Sequence, residues 1–379
     1  MVENIAIIGG GPAGAYLGYR LARNGIHATI FDGSHPREKP CGGGVTPFTL
    51  ERFPLLRQVP HSQRFVDKML FISPEGRKAV ASGQTIMNVS REHLDEYLLQ
   101  TAVENGAKLV PEKVASIEEK AGSWLIRTRG GDYHSQLVVG ADGVNSVVRR
   151  AIVGPIPGGN LAVCMGYFAR GVERDYSVMR FLKGFKGYAW IFPRETHSSI
   201  GIGLDMGQAK NLRGLLDEFI DEYCPGVEKL SRFGALIPAV RDPGFYDIPC
   251  AGKNWVLIGD AAGHVDPVLG EGIRYAVWSA DLAAEAIMGG NPAEFDVLWR
   301  REYYRDLVKA CRLVNFVYNP RVLELAVATM SRSKTCERVV TNIVASERTY
   351  RGIRRRVAVR LPKIALDAAL SPFRPSNEL

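Results

Sequence analysis

A glycine-rich turn near the start of the sequence has the residue types needed to bind a phosphate group. An apolar run, residues 4–8, precedes the turn and a helical pattern of apolar side chains follows it, which predicts a strand, a turn and a helix. The backbone of such a turn can approach a pyrophosphate closely, and the N-terminus of the helix attracts its negative charge. The residues suited to this task are Gly9, Gly11, Ala13 and Gly14.

An acidic residue stands at the end of the next predicted strand, residues 28–31. Asp32 follows Gly14 by 18 residues, close to the spacing at which an acid accepts a hydrogen bond from a ribose hydroxyl in dinucleotide sites. A chance glycine turn is the alternative, and the strand, helix and acid in their expected order argue against it. NAD and FAD sites both use this arrangement, so the motif leaves the choice between them open.

Two later stretches repeat the combination of a buried strand with an acid and glycines after it. The predicted strand 137–141 runs into Asp142 and Gly143. The predicted strand 255–258 ends just before Asp260. The ordinary alternatives are a turn acid for Asp142 and a helix N-cap for Asp260. A second glycine-bearing helix start follows, with Gly270, Gly272 and Ile273.

Together, these stretches resemble the flavin fingerprints of the glutathione-reductase-type FAD superfamily, in its branch of aromatic hydroxylases, halogenases and geranylgeranyl reductases. The resemblance implies a non-covalently bound FAD. Asp260 would then accept hydrogen bonds from the ribityl hydroxyls, and the amides of residues 270–273 would face the N1 and O2 edge of the flavin. The resemblance also implies that Arg91, at the start of a helix predicted over residues 91–103, reaches the pyrophosphate; an arginine in solvent is the alternative.

A run of three glycines follows a cysteine between the first and second fingerprints. Such a run lets the backbone pass close to a flat group such as a flavin edge, and leaves the thiol as its only functional side chain. The KPCGGG segment resembles the loop of geranylgeranyl reductases in which the cysteine lies near the isoalloxazine and takes part in the reaction. Its cysteine and glycines are Cys41, Gly42, Gly43 and Gly44. Cys41 is therefore our candidate catalytic residue, as proton donor or substrate guide, with a small residue filling a turn as the alternative.

Aromatic residues alternate along a predicted strand over residues 187–193. The alternation places Tyr188, Trp190 and Phe192 on one face. The segment resembles the YxWxFP pattern of geranylgeranyl reductases, followed by a glycine-bearing strand, and departs from the WxWxIP of halogenases. The resemblance implies substrate binding by the three rings, whereas an aromatic stripe on a sheet otherwise indicates ordinary core packing.

The elements that must position these residues predict an α/β fold, α+β overall, in three parts. A Rossmann-type FAD-binding domain is expected from residues 1–60, 84–160 and 244–290. A mixed or antiparallel sheet domain for substrate binding is expected from residues 61–83 and 161–243, and a helical C-terminal region from residues 291–379. That region is predicted to begin with a long amphipathic helix over residues 293–317, with breaks at Pro320 and Pro362.

The charge of the chain is concentrated in one segment. The formal net charge is +8, and no apolar run of about 18 residues suggests a transmembrane helix. We expect a cytoplasmic monomer that binds no nucleic acid and contacts a membrane surface peripherally through the basic segment, with a solvated charged helix as the alternative. The basic residues are Arg351, Arg354, Arg355, Arg356, Arg360 and Lys363.

The six cysteines show neither a CxxC spacing nor a metal-ligand cluster, so we predict no metal site and no disulfide framework. Cys311 and Cys336 lie on two predicted helices and could face each other. Buried free thiols are the preferred interpretation.

The flavin fingerprints, the cysteine loop and the aromatic strand, with the resemblance that they carry, predict an FAD-dependent oxidoreductase acting on CH–CH groups. It would saturate the carbon–carbon double bonds of a geranylgeranyl or polyprenyl chain on a lipid, a diphosphate or a related substrate, with hydride from N5 of the reduced flavin. No second strand, GxGxxG and helix unit occurs, so the external electron donor, NAD(P)H or a ferredoxin-like protein, stays undetermined. The alternatives are a flavin-dependent monooxygenase or halogenase, and an electron-transfer flavoprotein that reduces a quinone. The CGGG loop and the aromatic strand favour the reductase over the first, and the absence of an iron–sulfur cysteine pattern argues against the second.

Overall fold

The computed structural model describes residues 4–60, 63–345, 350 and 352–370, and the chain divides into two compact units. The first unit contains the described residues of Met1–Glu38, Arg91–Leu161 and Ile237–Cys311. The second unit contains those of Lys39–Ser90, Ala162–Leu236 and Arg312–Leu379. Each unit is therefore assembled from three separate pieces of the chain.

Strands and helices both contribute to the two units. Within the described residues the strands are β1 (Ile5–Ile8), β2 (Ala28–Phe31), β3 (Gly44–Val45), β4 (Gln63–Ile72), β5 (Lys78–Val89), β6 (Lys108–Val110), β7 (Ser116–Lys120), β8 (Ser123–Arg127), β9 (Asp132–Ser135), β10 (Leu137–Gly140), β11 (Leu161–Arg170), β12 (Ser177–Phe181), β13 (Gly187–Pro193), β14 (Ser198–Asp205), β15 (Glu228–Pro238) and β16 (Trp255–Leu257). The α-helices of the same residues are α1 (Pro12–Ala22), α2 (Pro47–Arg52), α3 (Arg91–Glu104), α4 (Val147–Ile152), α5 (Leu212–Tyr223), α6 (Ile273–Met288), α7 (Phe295–Trp299), α8 (Arg305–Val317), α9 (Pro320–Met330), α10 (Lys334–Val344) and α11 (Ile353–Leu370).

A five-stranded parallel sheet forms the centre of the first unit, in the order β16-β10-β1-β2-β6. All residues of β1 and β10 are buried, as expected for parallel strands that are covered on both faces. Helix α1 packs against α3 and α6. A small antiparallel sheet, β7-β8-β9, belongs to the same unit. The Rossmann-type part of the predicted fold is thus confirmed.

An eight-stranded mixed sheet forms the second unit, in the order β15-β11-β14-β13-β12-β4-β5-β3. From β11 to β3 its neighbours pair antiparallel, except that β12 and β4 run parallel. Helix α5 covers one face of the sheet, and α9 and α10 pack on the other. This arrangement confirms the predicted mixed sheet and the helical C-terminal region.

The helices after α6 differ from the prediction at one proline. The helix predicted over residues 293–317 consists of α7 and α8 joined by a π-helical turn, Arg300–Tyr304. The break at Pro320 is confirmed, because α8 ends at Val317 and Pro320 occupies the first turn of α9, where proline is tolerated. The break at Pro362 is wrong, because α11 continues through it. Beyond this proline, Asp367 accepts hydrogen bonds from the Ser333 hydroxyl and the Thr335 N–H, which fasten the second half of α11 to the start of α10.

The three-part domain division stays a prediction, and the two compact units group the chain differently. Residues 39–60 belong to the second unit, where β3 pairs with β5. The described residues of Arg312–Leu379 also belong there, since α9 and α10 pack on its sheet.

All six cysteines carry free thiols; Cys311 is buried and Cys336 is partly buried. Across the described ranges, no group of three or more His, Cys, Asp or Glu side chains could hold a metal ion. In the same ranges no helix is both long and apolar enough to cross a bilayer.

Candidate active site

The glycine turn after β1 leads directly into α1. Helix α1 begins at Pro12 after Gly11, its N-cap residue, and no described side chain caps it. A Cβ at Gly14 would collide with the carbonyl oxygen of Gly9, so the helix packs too closely on the turn for any side chain there. The first N–H groups of a helix have no partner within it. Together with the buried Ala13, this turn fits the pyrophosphate of a dinucleotide.

Asp32 is an anion held beside this turn. Its carboxylate accepts hydrogen bonds from the N–H of Gly10 at 2.5 Å and of Ser34 at 2.6 Å, and Nδ1 of His35 lies 2.7 Å away. Burial by itself raises the pKa of Asp32, but the His35 imidazole and the two amides outweigh it and hold that pKa well below its ordinary value. Asp32 is therefore ionised at neutral pH.

The stretch after β10 contains a buried carboxyl group with one unused oxygen. Oδ2 of Asp142 accepts a hydrogen bond from the Val147 N–H at 2.7 Å, whereas Oδ1 has no hydrogen-bond partner among the described residues. Burial raises the pKa of Asp142. Buried acceptors are seldom left without a partner, so this oxygen fits a hydroxyl group of a bound cofactor. Gly143 follows with a φ of +79° and turns the chain towards α4.

The stretch after β16 brings an acid to the start of α6. Asp260 lies in a 3-10 turn, Gly259–Ala262, and α6 begins at Ile273 after Gly272, without a capping side chain among the described residues. A Cβ at Gly272 would lie 3.4 Å from Oδ1 of Asp260. Gly270 precedes them with a φ of +69°. The uncapped amides at this helix start fit an electron-rich ring edge, as the resemblance implied.

The three stretches meet at one edge of the parallel sheet. A Cβ at Gly9 would collide with the backbone of Ala141, next to Asp142, and a Cβ at Gly259 would lie 3.2 Å from that of Ala13. The structure therefore brings the phosphate-binding turn together with acids at the ends of neighbouring strands. Hydroxyl acceptors beside an anion-binding helix start are the groups that FAD requires.

Arg91 starts α3 and is buried rather than solvated. Its guanidinium forms a two-point ion pair with Asp95, with Nε–Oδ1 at 2.9 Å and Nη2–Oδ2 at 2.8 Å. The backbone N–H of Arg91 donates a hydrogen bond to Oε1 of Glu38 at 3.0 Å. The alternative of an arginine in solvent is thus wrong. Its contact with the pyrophosphate stays a prediction.

The cysteine loop belongs to the second unit and is fastened by its backbone. The carbonyl oxygen of Cys41 accepts hydrogen bonds from Nη2 of Arg194 at 2.7 Å and from the Ser199 hydroxyl at 2.9 Å. The Gly43 N–H donates to the sulfur of Cys41 at 3.3 Å. A Cβ at Gly42 would collide with the ring of Phe192, so this glycine already has a flat neighbour within its own unit.

A second thiol lies close to the loop but is deeply buried. Burial, with a smaller contribution from nearby Cys41, raises the pKa of Cys164 to about 12. Cys164 therefore stays a neutral thiol at physiological pH. Cys41 is partly exposed and is the thiol of this pair that solvent or a ligand can reach.

The predicted aromatic stripe lies on one face of β13. Tyr188 and Trp190 are in ring contact at 6.1 Å, and Tyr188 and Phe192 join the apolar cluster under α9 and α10. Ala189 and Ile191 point to the opposite face, under α5. Trp190 is buried, packs parallel to Phe233 and donates its indole N–H to Ser199. Trp190 thus has the surroundings of a core residue, while Tyr188 and Phe192 are only partly buried.

Three residues of these sites are absent from the sequence prediction, namely His35, Arg194 and Ser199. Arg194 directly follows the aromatic strand, and His35 follows Asp32 by three residues. These positions next to predicted site residues are the only sequence features that point to the two side chains. No sequence pattern distinguishes Ser199 from other strand serines, because its role depends on the loop that folds against it.

Comparison with known proteins assigns these stretches to two families. Residues 3–169 match the FAD binding domain family, and residues 160–237 match the geranylgeranyl reductase catalytic domain. The chain is 31% identical over 315 residues to a geranylgeranyl diphosphate reductase of Rhodobacter capsulatus, covering 76% of each protein.

Solved structures share the fold at lower identity. A geranylgeranyl bacteriochlorophyll reductase-like protein from Thermoplasma acidophilum superposes with a TM-score of 0.78 at 19% identity, over 97% of this chain and 98% of that one. The flavin-dependent brominase Bmp2 superposes with a TM-score of 0.75 at 18% identity, over 95% and 99%. The fold is therefore common to reductases and halogenases, and the sequence match distinguishes them. The chain uses FAD as its cofactor and belongs to the geranylgeranyl reductase family of oxidoreductases.

Proposed function

We propose that this protein saturates carbon–carbon double bonds in a geranylgeranyl or other polyprenyl chain attached to a lipid, a diphosphate or a related group. FAD held by the turn at Gly11 and by Asp142 and Asp260 would, when reduced, supply a hydride from N5 to one alkene carbon, and a proton would complete the other carbon. An isolated alkene is a poor electrophile, so the protein must align both donors and exclude water. The external reductant stays open between NAD(P)H and a ferredoxin-like protein.

The observation that carries the proposal is an apolar sheet face in the second unit, to which strands β12 and β13 of the matched catalytic stretch contribute. A polyprenyl chain offers no hydrogen-bonding groups, so it must be recognised by shape and by burial of apolar surface. Methionines and aromatic rings supply such a surface, and methionine adapts to irregular chains. The sheet side chains of this cluster are Met69, Phe71, Ala79, Ala81, Ile86, Met179, Phe181, Tyr188 and Phe192, and the helix side chains are Val327, Met330, Cys336, Val340 and Val344.

Cys41 is the proposed catalytic residue at the end of this face. Its loop packs on Phe192 through Gly42 and is fixed by Arg194 and Ser199, so the thiol sits on a rigid support. Cys336 is a second partly buried thiol packed against this face, but it lies on α10 rather than on the glycine loop. We propose that the Cys41 thiol guides the alkene or delivers the proton.

We further propose that α11 brings the protein to membranes, where prenyl lipids are found. Its inner side is fastened through Asp367, and its outer side combines apolar and basic residues without a described covering element. Such a surface suits an anionic lipid headgroup layer, because charges attract the headgroups while apolar side chains enter between them. The exposed residues are Arg355, Val359, Leu361, Lys363, Leu366 and Leu370. Of the basic residues in the sequence prediction, Arg351 and the side chain of Arg354 lie outside the described residues.

The decisive experiment mixes dithionite-reduced protein with geranylgeranyl lipids in the absence of oxygen. Flavin reoxidation and product mass are followed together. Reoxidation with a gain of two hydrogens for each double bond is the expected result. A flavin that stays reduced until oxygen is admitted, and then oxygenates or halogenates an aromatic compound, would replace the proposal with a monooxygenase or halogenase.

A further inference from the structure

The carboxylate of Asp32 is already surrounded by donors from its own chain. It accepts from the N–H groups of Gly10, Ser34 and His35 at 2.5, 2.6 and 2.9 Å, from the Ser34 hydroxyl at 2.9 Å, and from Nδ1 of His35 at 2.7 Å. A carboxylate offers about four lone-pair positions. Asp32 therefore cannot serve a ribose hydroxyl without sharing or giving up one of these donors.

His35 is the member of this set that carries a positive charge when its imidazole is protonated. Its side chain is only 8% exposed, and its second ring nitrogen, Nε2, lies 3.1 Å from Oδ2 of Asp95. Nε2 nevertheless has no aligned hydrogen-bond partner among the described residues. The imidazole is thus enclosed by one carboxylate after β2 and one on α3, which favour its protonated form.

The same ring faces the phosphate-binding turn. A Cβ placed at Gly11 would lie 3.7 Å from Nε2 of His35 and 3.8 Å from Cε1. Gly11 is the N-cap residue of α1, where a pyrophosphate approaches the backbone. A bound dinucleotide would therefore meet the His35 ring as directly as it meets Asp32.

We propose that His35 is an FAD-binding residue whose imidazolium charge supports the ribose and pyrophosphate part of the cofactor. The charged groups around it are Asp32, Asp95, Arg91, which pairs with Asp95, and Glu38, which accepts from the Arg91 N–H at the start of α3. Loss of the imidazolium proton removes one positive charge from this cluster, which lies next to the anionic pyrophosphate of a bound dinucleotide. FAD affinity then falls as the pH rises.

The direction of the pH dependence of FAD binding follows from the surroundings of the ring. Burial lowers the pKa of His35, but Asp32 and Asp95 outweigh burial and raise it above its ordinary value. The imidazolium therefore persists to a higher pH than that of a histidine in solvent, and its charge is lost as the pH rises further. This inference concerns the cofactor site and does not depend on the identity of the substrate.

The test measures the dissociation constant of FAD from the refolded or stripped protein by quenching of flavin fluorescence, between about pH 6 and pH 9. We expect wild-type affinity to fall roughly tenfold across this range, the effect of one charge acting over a few ångströms in a partly polar site. His35→Gln should bind FAD weakly at low pH with a flat profile. His35→Lys, which keeps its charge throughout, should bind tightly with a flat profile.

His27→Gln is the matched control, because His27 is an exposed histidine of the same unit. It should keep both the affinity and the pH profile of the wild type. A flat wild-type profile overturns the proposal without any variant. A His35→Gln protein that retains the wild-type profile also overturns it, and circular dichroism of each cofactor-free variant separates loss of binding from loss of folding.

Discussion

The first unit concentrates charges and free amides at its candidate cofactor site, whereas the second concentrates rings and methionines on one face of its sheet. In the first, His35 lies within hydrogen-bonding or ion-pairing distance of both Asp32 and Asp95. In the second, Phe192 and Met179 belong to a cluster that α9 and α10 cover with further apolar side chains. Polar sites depend on the position of single atoms, while apolar sites depend on volume and contact. Substitutions in the two regions should therefore change different measured quantities.

The largest effect is expected at the phosphate-binding turn. Gly14→Ala places a methyl group against the carbonyl oxygen of Gly9, so α1 must move away from the turn. We expect FAD binding to be lost and stability to fall by about 1–3 kcal/mol, as for an overpacked core. Isothermal titration with FAD and thermal melting measure the two effects. Gly159→Ala is the control, because no described atom lies within 4 Å of its added Cβ; equal behaviour of both variants would contradict the role of the turn.

The next effect distinguishes chemistry from cofactor binding. Cys41→Ala should leave FAD affinity unchanged and slow alkene reduction by roughly 10²–10⁴-fold if the thiol transfers the proton. Single-turnover reoxidation of the reduced flavin by a prenyl lipid measures this rate. Cys224→Ala is the control, since Cys224 is buried under α5 on the opposite side of the sheet. An unchanged rate and product pattern in Cys41→Ala would remove the thiol from the mechanism.

A smaller effect is expected on the apolar face. Phe192→Leu removes ring contacts with the substrate face and with the Gly42 loop, so the KM for a prenyl lipid should rise about tenfold while FAD affinity stays constant. Phe219→Leu is the same substitution on α5, which packs on the opposite face of the sheet. It should lower the melting temperature and leave the KM unaltered. A similar KM change in both variants would show that the face has no specific role.

The same contrast explains what the sequence could predict. Strand, glycine turn and acid recur at fixed offsets because the backbone of a parallel sheet dictates them, so β1, β2, β10 and the residues at their ends were predictable. The helix over residues 91–103 and the strand over residues 187–193 also followed from residue patterns. These features depend on local chain geometry.

Contacts between distant segments were not predictable in this way. Arg194 reaches the carbonyl of Cys41 across 153 positions, and no local pattern marks such a pair. The burial of Arg91 depends on Asp95, one helical turn later, and on the enclosing fold. Helix α11 continues through Pro362 against the local propensity, and Asp367 beyond the proline accepts a hydrogen bond from the distant Ser333. Side-chain roles set by tertiary contacts therefore escape a linear pattern.

The smallest effect is expected on α11, whose outer side would be a third kind of surface, in which basic and apolar groups act together on a membrane. Arg355→Gln and Lys363→Gln should each weaken binding to vesicles containing anionic phospholipid by about fivefold, because each cation near such a surface contributes about 1 kcal/mol. Lys253→Gln, an exposed lysine of the first unit, is the control and should bind like the wild type. Co-sedimentation at low and high salt measures the effect, and Leu366→Gln should weaken the binding that persists in salt. If α11 instead mediates self-association, the variants will change the sedimentation coefficient without vesicles, and the membrane proposal fails.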